Sequence, residues 1–338
     1  MKGKYGSALL RGGVSLALIL LVLWRFQGKL TEVWELLASA NVWWVLAAVL
    51  LFWLAMLINA YKWWTLLRAQ AIQVPFSAMA NFTFVGFFFN NFLPANIGGD
   101  VMRGYGLARY TEKNAGAAAS VVLDRLIGLS AYMSVAAVSA LAVVFVTGRS
   151  DLWLLAVVAV GALLSLLLIG VFLISRRISR FISRLLHGGF LRKIAPIWDS
   201  LASAFELYRF QYRTLATAFL IGLTGIATTS MVNYVLSLAL GGGIPLVDIF
   251  LFTPLIALVL IIPISIGGLG LSQAAYPFFY GLVGVSGELA LALSLFIQAV
   301  QIFCSLPGGA LWLLWKKSDG GDSGAGVDAG GAEQAAGP

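Results

Sequence analysis

The chain has 338 residues, of which 60% are hydrophobic and only 11% charged, with a formal net charge of +8. A soluble globule of this length could not cover its surface with so little charge. One cysteine, Cys304, and one histidine, His187, exclude an internal disulfide framework and leave little material for cysteine clusters or histidine chemistry, so neither metal nor cofactor is expected.

Composition therefore predicts an all-α integral membrane protein, a polytopic helical bundle. Taken in chain order, the first apolar run is Ser7–Phe26, preceded by Lys2, Lys4 and Arg11. Ala38-Ser39-Ala40 resembles a signal cleavage site, but Lys29, Glu32 and Glu35 separate it from the run, so a retained first span is expected. The stretch Leu30–Ser39, with Trp34, reads as a short interfacial helix. Spans follow at 42–66, 115–146, 152–175, 214–238 and 289–315, each near or above the roughly 20 residues that cross a hydrocarbon core.

Basic residues set the orientation. Arg176, Arg177, Arg180, Arg184, Arg192, Lys193, Arg209 and Arg213 crowd one segment, and no Lys or Arg occurs from Thr214 to Trp315 before Lys316 and Lys317. The positive-inside rule puts the segment 176–213, and both termini, in the cytoplasm. Six full spans satisfy that parity. Two segments remain, 76–103 on the inside and 246–283 on the outside, and each is broken by Pro and Gly in apolar sequence. Re-entrant hairpins fit both, because non-helical backbone at membrane depth must be buried in protein or line a wet cavity.

The two breaks read Pro94-Ala-Asn-Ile-Gly98-Gly99 and Pro263-Ile-Ser-Ile-Gly267-Gly268. The shared Pro-x-x-Ile-Gly-Gly, in hairpins of opposite orientation, suggests an inverted repeat. Its halves are about 42–146 and 214–315, joined by span 152–175 and the basic loop, within a single transmembrane domain 1–317. Such repeats hold substrate near the midplane, where half-helix ends offer unpaired backbone groups. Packing alone would also account for the Pro and Gly residues. The tail 318–338 is Gly-, Ala- and Ser-rich and reads as a disordered cytoplasmic segment.

Polar residues gather at the breaks. Asn90, Asn91, Asn96, Asp100 and Arg103 surround the first, and Asp124 and Arg125 sit about ten residues, or roughly 15 Å, into span 115–146. Charges at that depth cost at least ~2.5–3.5 kcal/mol each, and helix neighbours point about 100° apart, so each needs a partner elsewhere. A network of Asp124–Arg103 and Asp100–Arg125 is expected, serving either as a structural ion-pair cluster or as a holder of an anionic group. The second break is less polar, with Ser265, Ser272 and Gln273, and with Gln298 and Gln301 sharing a face of the last span. No Gly-Lys-Ser/Thr phosphate loop or dinucleotide fingerprint occurs, and the basic loop calls for anionic headgroups, not nucleic acid.

The motif Phe88-Phe89-Asn90-Asn91-Phe-Leu-Pro94-Ala-Asn-Ile-Gly98-Gly99-Asp100-Val-Met-Arg103, followed by Ser120-Val-Val-Leu-Asp124-Arg125-Leu-Ile-Gly128, resembles the transmembrane region of lysylphosphatidylglycerol synthases and the flippase-like family built on it. Pro263-Ile-Ser-Ile-Gly-Gly-Leu-Gly270 resembles that family's second signature, and the likeness extends to about Lys317. Where relatives often carry an acidic residue after the second signature, this chain has Ser272-Gln273, which removes the carboxylate a proton- or cation-linked role would use. The resemblance implies the lipid-translocating half without the soluble aminoacyl-transferase domain of bifunctional members.

The expectation is a lipid flippase of the cell membrane that moves a polar or anionic-headgroup lipid between leaflets. Arg103 and Arg125 would hold the headgroup, Asp100 and Asp124 would tune them, and Gly98, Gly99, Gly267 and Gly268 would supply backbone donors beside Asn90, Asn91, Asn96, Gln273 and Gln298. Expected partners are membrane lipids with anionic, polyprenyl or glycolipid headgroups, and an enzyme of lipid or glycolipid synthesis. The alternatives are a membrane-embedded lipid-modifying transferase and a non-transporting scaffold subunit.

Overall fold

The fold is that of a computed structural model whose described residues are 2–92, 98–148, 153–175, 180–181, 183–184, 187, 198–199, 202–203, 206–208, 210–261, 265 and 267–322. All regular structure among them is helical. The helices are α1 (Lys2–Phe26), α2 (Leu30–Ala38), α3 (Val42–Arg68), α4 (Phe76–Phe92), α5 (Gly98–Thr111), α6 (Asn114–Thr147), α7 (Trp153–Ile174), α8 (Tyr212–Ala239), α9 (Leu246–Leu260), α10 (Leu271–Gly281) and α11 (Gly287–Asp322). Pro94, Asn96, Pro263, most of the basic segment 176–213 and the tail beyond residue 322 lie outside the described residues.

Long apolar runs become helices because a helix satisfies its backbone groups internally where no water is available. The ends carry local signals. The Asn41 side chain accepts from the Trp43 amide at 3.0 Å to start α3, and Gly148, at φ 62°, closes α6 in the left-handed conformation.

Among the described residues α3, α6, α8 and α11 are each long and apolar enough to cross a membrane. They coincide with the expected spans 42–66, 115–146, 214–238 and 289–315. The pair α1 and α2 passes the same test as one bent unit, with 98° between its arms. The apolar stretches Ala156–Leu168 of α7 and Leu246–Leu260 are shorter. The arms flanking the two breaks are shorter again than a hydrocarbon core. At 1.5 Å per residue α4 and α5 are about 25 and 21 Å long, α9 and α10 about 22 and 16 Å, against roughly 30 Å of hydrocarbon.

α3 lies along α8, and α6 packs on α5, α7, α8 and α9. The α4–α5 pair is wedged between α3 and α11 on one side and α6 on the other. The largest buried cluster includes Phe52, Leu236, Phe252, Tyr280 and Leu293, from α3, α8, α9, α10 and α11. A second cluster, with Trp63, Met79, Phe82, Leu107 and Val121, joins α3, α4, α5 and α6. Leu46, Leu50, Leu54 and Leu57 form an exposed stripe along α3, the apolar outer face a bilayer accepts without cost.

A close backbone approach positions α4 against α11. A Cβ on Gly308 would lie 2.0 Å from the Phe84 carbonyl oxygen, so α11 and α4 touch backbone to backbone there. Replacing Gly308 with Ala should lower the thermal unfolding midpoint in detergent, because overpacking that cannot relax typically costs about 1–3 kcal/mol. Gly161→Ala, which meets open space on α7, should leave the midpoint unchanged or raise it.

Candidate functional site

The site begins with Asp124, which is almost wholly buried on α6. One carboxylate oxygen, Oδ1, lies 3.2 Å from Lys62 Nζ of α3, and the other, Oδ2, lies 3.2 Å from Arg103 Nη1 of α5. Arg103 Nη2 donates to the same Oδ2 at 3.3 Å and to Asp100 Oδ1 at 2.6 Å. Asp100 Oδ2 is in turn 3.6 Å from Arg125 Nη1. The expected pairs Asp124–Arg103 and Asp100–Arg125 are both present. Lys62 extends them into a chain of alternating sign: Lys62, Asp124, Arg103, Asp100, Arg125.

Local packing holds that chain. The Arg103 guanidinium lies 4.9 Å from the centre of the Trp63 ring, and the Trp63 indole donates to Ser120 Oγ at 3.1 Å. A Cβ on Gly128 would come 3.0 Å from Lys62 Nζ, so the absence of a side chain makes room for the ammonium. Gly86 and Gly99 play a similar part in the hairpin: a Cβ on Gly99 would lie 2.1 Å from the Gly86 carbonyl oxygen. α4 and α5 therefore meet closely enough for Arg103 to reach Asp124.

Described residues at the edges of the two breaks meet at this point. Gly267, at φ 57°, turns so tightly that a Cβ would lie 3.1 Å from the Asn91 carbonyl oxygen. Between the breaks and α6 is a cavity of about 360 Å³. Asn90, Asn91, Asp100, Arg103, Asp124 and Arg125 line it from the first half of the chain. Gly267, Gly268 and Gln301 line it from the second. Three cations and two carboxylates therefore border one cavity, an excess of one positive charge. The Arg125 side chain is 38% exposed and that of Arg103 only 7%.

Other expected site residues lie differently. Asn90 lines the cavity, but its side-chain oxygen accepts from the Gly99 amide at 2.9 Å. The Gly99 N–H expected as a headgroup donor is thus already used, capping α5. Gly98 is the first residue of α5 and Gly99 is buried, and neither borders the cavity. Gln273 is buried at the start of α10, where its Oε1 accepts from the Gly270 amide at 2.7 Å. Gln298 is buried outside the lining, whereas Gln301, three residues on, borders it. Asn96 lies outside the described residues.

Sequence reasoning missed Lys62, Asn59, Thr83 and Tyr132, all of which border the cavity. Lys62 reads as part of a basic span end with Arg68. Its depth was the available signal: six residues before Arg68 is about 9 Å along a helix, too far to count as the same surface.

Residues 9–308 match the family described as the lysylphosphatidylglycerol synthase TM region. The chain belongs to that family. The match contains every residue that borders the cavity, from Asn59 to Gln301. A UPF0104 membrane protein of Pyrococcus horikoshii is 23% identical over 325 residues, covering 90% of this chain and 96% of the relative. No solved structure matches the chain. This family member is an integral membrane protein, and its family fits a lipid-related role in the membrane.

Asp124 should be the most sensitive residue of the cavity. Removing one partner of a buried ion pair costs about 3–5 kcal/mol, because the remaining charge is left uncompensated. Asp124→Asn, which leaves Lys62 and Arg103 facing a neutral amide, should lower the thermal unfolding midpoint sharply. Combining it with Lys62→Met should recover part of the loss. Arg125→Ala, at the exposed end of the chain of charges, should change the midpoint little.

Proposed function

We propose that the protein moves a lipid with an anionic headgroup between the leaflets of the cell membrane. The observation that carries this reading is the alternating chain of charges bordering a cavity where the two broken segments meet. Its excess positive charge favours an anion, and its apolar helical surroundings suit one that carries acyl chains with it. The exposed end at Arg125 lets a phosphate exchange with Asp100 without unpairing Arg103. Asn91, Gly267 and Gly268 would then contact the headgroup, and Asp100 and Asp124 would hold the cations in place.

The proposed architecture has six full spans, two re-entrant hairpins and cytoplasmic termini, in two inverted halves. The order helix, broken pair, helix occurs as α3, α4–α5, α6 and again as α8, α9–α10, α11. Four contacts support the orientation read from the charges, since each joins ends assigned to one face. Lys29 and Glu288 form an ion pair on the outer side. The Asn41 amide donates to the Ala239 carbonyl at 2.9 Å, also on the outer side. On the inner side Tyr208 donates to the Leu66 carbonyl at 2.9 Å and accepts from Gln70 at 2.7 Å.

The competing reading, a membrane-embedded transferase, needs a carboxylate available as a base. Here both cavity carboxylates are engaged by cations.

Purified protein in liposomes should accelerate the exchange of at least one fluorescent lipid among phosphatidylglycerol, its aminoacylated form and a polyprenyl phosphate. Arg125→Ala should slow that exchange by about 10- to 100-fold, the loss of one charge-assisted hydrogen bond of about 1.5–3 kcal/mol. Exchange of none of the three above protein-free liposomes would overturn the transport reading, and a product formed from a charged tRNA or a sugar donor would favour the transferase.

A further inference from the structure

The polar cavity does not end at Lys62. Its border residues Asn59, Lys62, Thr83, Phe87, Gly128 and Tyr132 also border a second space of about 170 Å³. That second space shares Ile58 and Ile221 with a third, of about 360 Å³, bordered otherwise by Leu54, Leu57, Tyr61, Phe76 and Thr224. Neighbouring spaces share lining residues, from the buried ion pairs to the exposed face of the bundle, and the outer two lie between α3 and α8.

Polarity changes along the row in a manner that sorts the two ends of an amphiphile. On α3, Ala55, Ile58, Asn59 and Lys62 share one stripe by their three- and four-residue spacing, apolar first and charged last. Leu54, Leu57, Tyr61 and Phe76 at the outer space are 36–48% exposed. They face the region where the bilayer would be. The narrow middle is kept open by missing side chains. A Cβ on Gly222 would touch Ala131 at 3.3 Å, and one on Gly225 would meet Ile58 at 3.7 Å, so anything larger than Ala at position 225 projects into the passage.

We infer that this row of spaces between α3 and α8 is the seat of a lipid acyl or prenyl chain, entered sideways from the bilayer, with its headgroup at the Lys62–Asp124 end. The inference rests on the transport reading for the headgroup and adds the place of the tail. Continuity with the charged cavity selects the occupant. A soluble anion would leave the apolar part of the row unmatched. Because Tyr61 and Phe76 lie toward the Arg68 end of α3, the chain enters from the leaflet on that side.

The test uses full-length protein in liposomes containing phosphatidylglycerol with a photoactivatable diazirine near the end of one acyl chain, with adducts mapped by peptide mass spectrometry. Adducts are expected to concentrate on Leu57, Ile58, Tyr61 and Ile221, at least fivefold above exposed residues of other helices such as Leu164 and Phe303. Gly225→Leu should reduce the groove adducts at least fivefold, with labelling elsewhere unchanged. Gly161→Leu, at an open position on α7, should leave the pattern intact. Adducts spread evenly over the exposed surface, or groove adducts insensitive to Gly225→Leu, would overturn the inference. The adduct map requires no transport, so loss of the map and loss of lipid exchange are separate failures. Were Gly225→Leu to misfold, the wild-type map alone would decide, since an even spread cannot arise from a seated chain.

Discussion

A single carboxylate surrounded by apolar helices organises this molecule. Asp124 sits about ten residues into α6, where an uncompensated buried charge would be costly, and each of its oxygens is neutralised by a separate cation, Lys62 and Arg103. Those two residues belong to different helices, α3 and α5. The requirement that both reach one carboxylate therefore dictates how closely α3, α5 and α6 converge. The glycines around the cluster follow from that convergence. Gly128 leaves space for the Lys62 ammonium, and Gly86 and Gly99 let α4 and α5 approach until Arg103 is in range. Trp63 covers the Arg103 guanidinium and is itself held by Ser120.

An interior ion-pair network seldom adds stability over apolar packing of the same volume. Its presence in a bundle with two large apolar clusters is therefore better explained by use than by stability. The chain of charges is graded: tightly bound and buried at Lys62, Asp124 and Arg103, looser and more exposed at Arg125. A graded network can give up one contact to an incoming anion while the rest keeps its form. That property would suit the proposed binding and release of a headgroup. The apolar passage between α3 and α8 completes the picture, because a lipid brings two chemistries and the cavity alone matches only one.

Much of this was legible in the chain. The two Pro-x-x-Ile-Gly-Gly motifs mark the broken segments, and the structure has helix ends on both sides of each break, whereas Pro307-Gly308-Gly309 lies inside α11. Asp124 and Arg125 announced themselves because charge in the middle of an apolar run has no local explanation. Their partners could be named because Asp100 and Arg103 are the nearest charges to a break. Lys62 was harder to read. Next to Tyr61 and Trp63, and close to Arg68, it has the sequence context of an interfacial anchor, and only packing against α6 shows it turned inward. Gln298 and Gln301 make the same point. They share a helix face by spacing, yet one borders the cavity and the other is buried beside it.

The sequence by itself determined that the chain is a helical membrane protein, where its long apolar helices lie and which charges must be paired, because hydropathy and buried charge act over a few turns of one helix. It also carried the family. The tertiary structure decided which partner each charge takes, that the Gly99 amide is used by Asn90, that the two breaks touch at Gly267 and Asn91, and that an apolar passage leads out between α3 and α8. Those facts depend on distances between segments up to about 180 residues apart. No local pattern encodes such distances, and here they are set by the glycines that let helices touch and by the one carboxylate that draws three of them together.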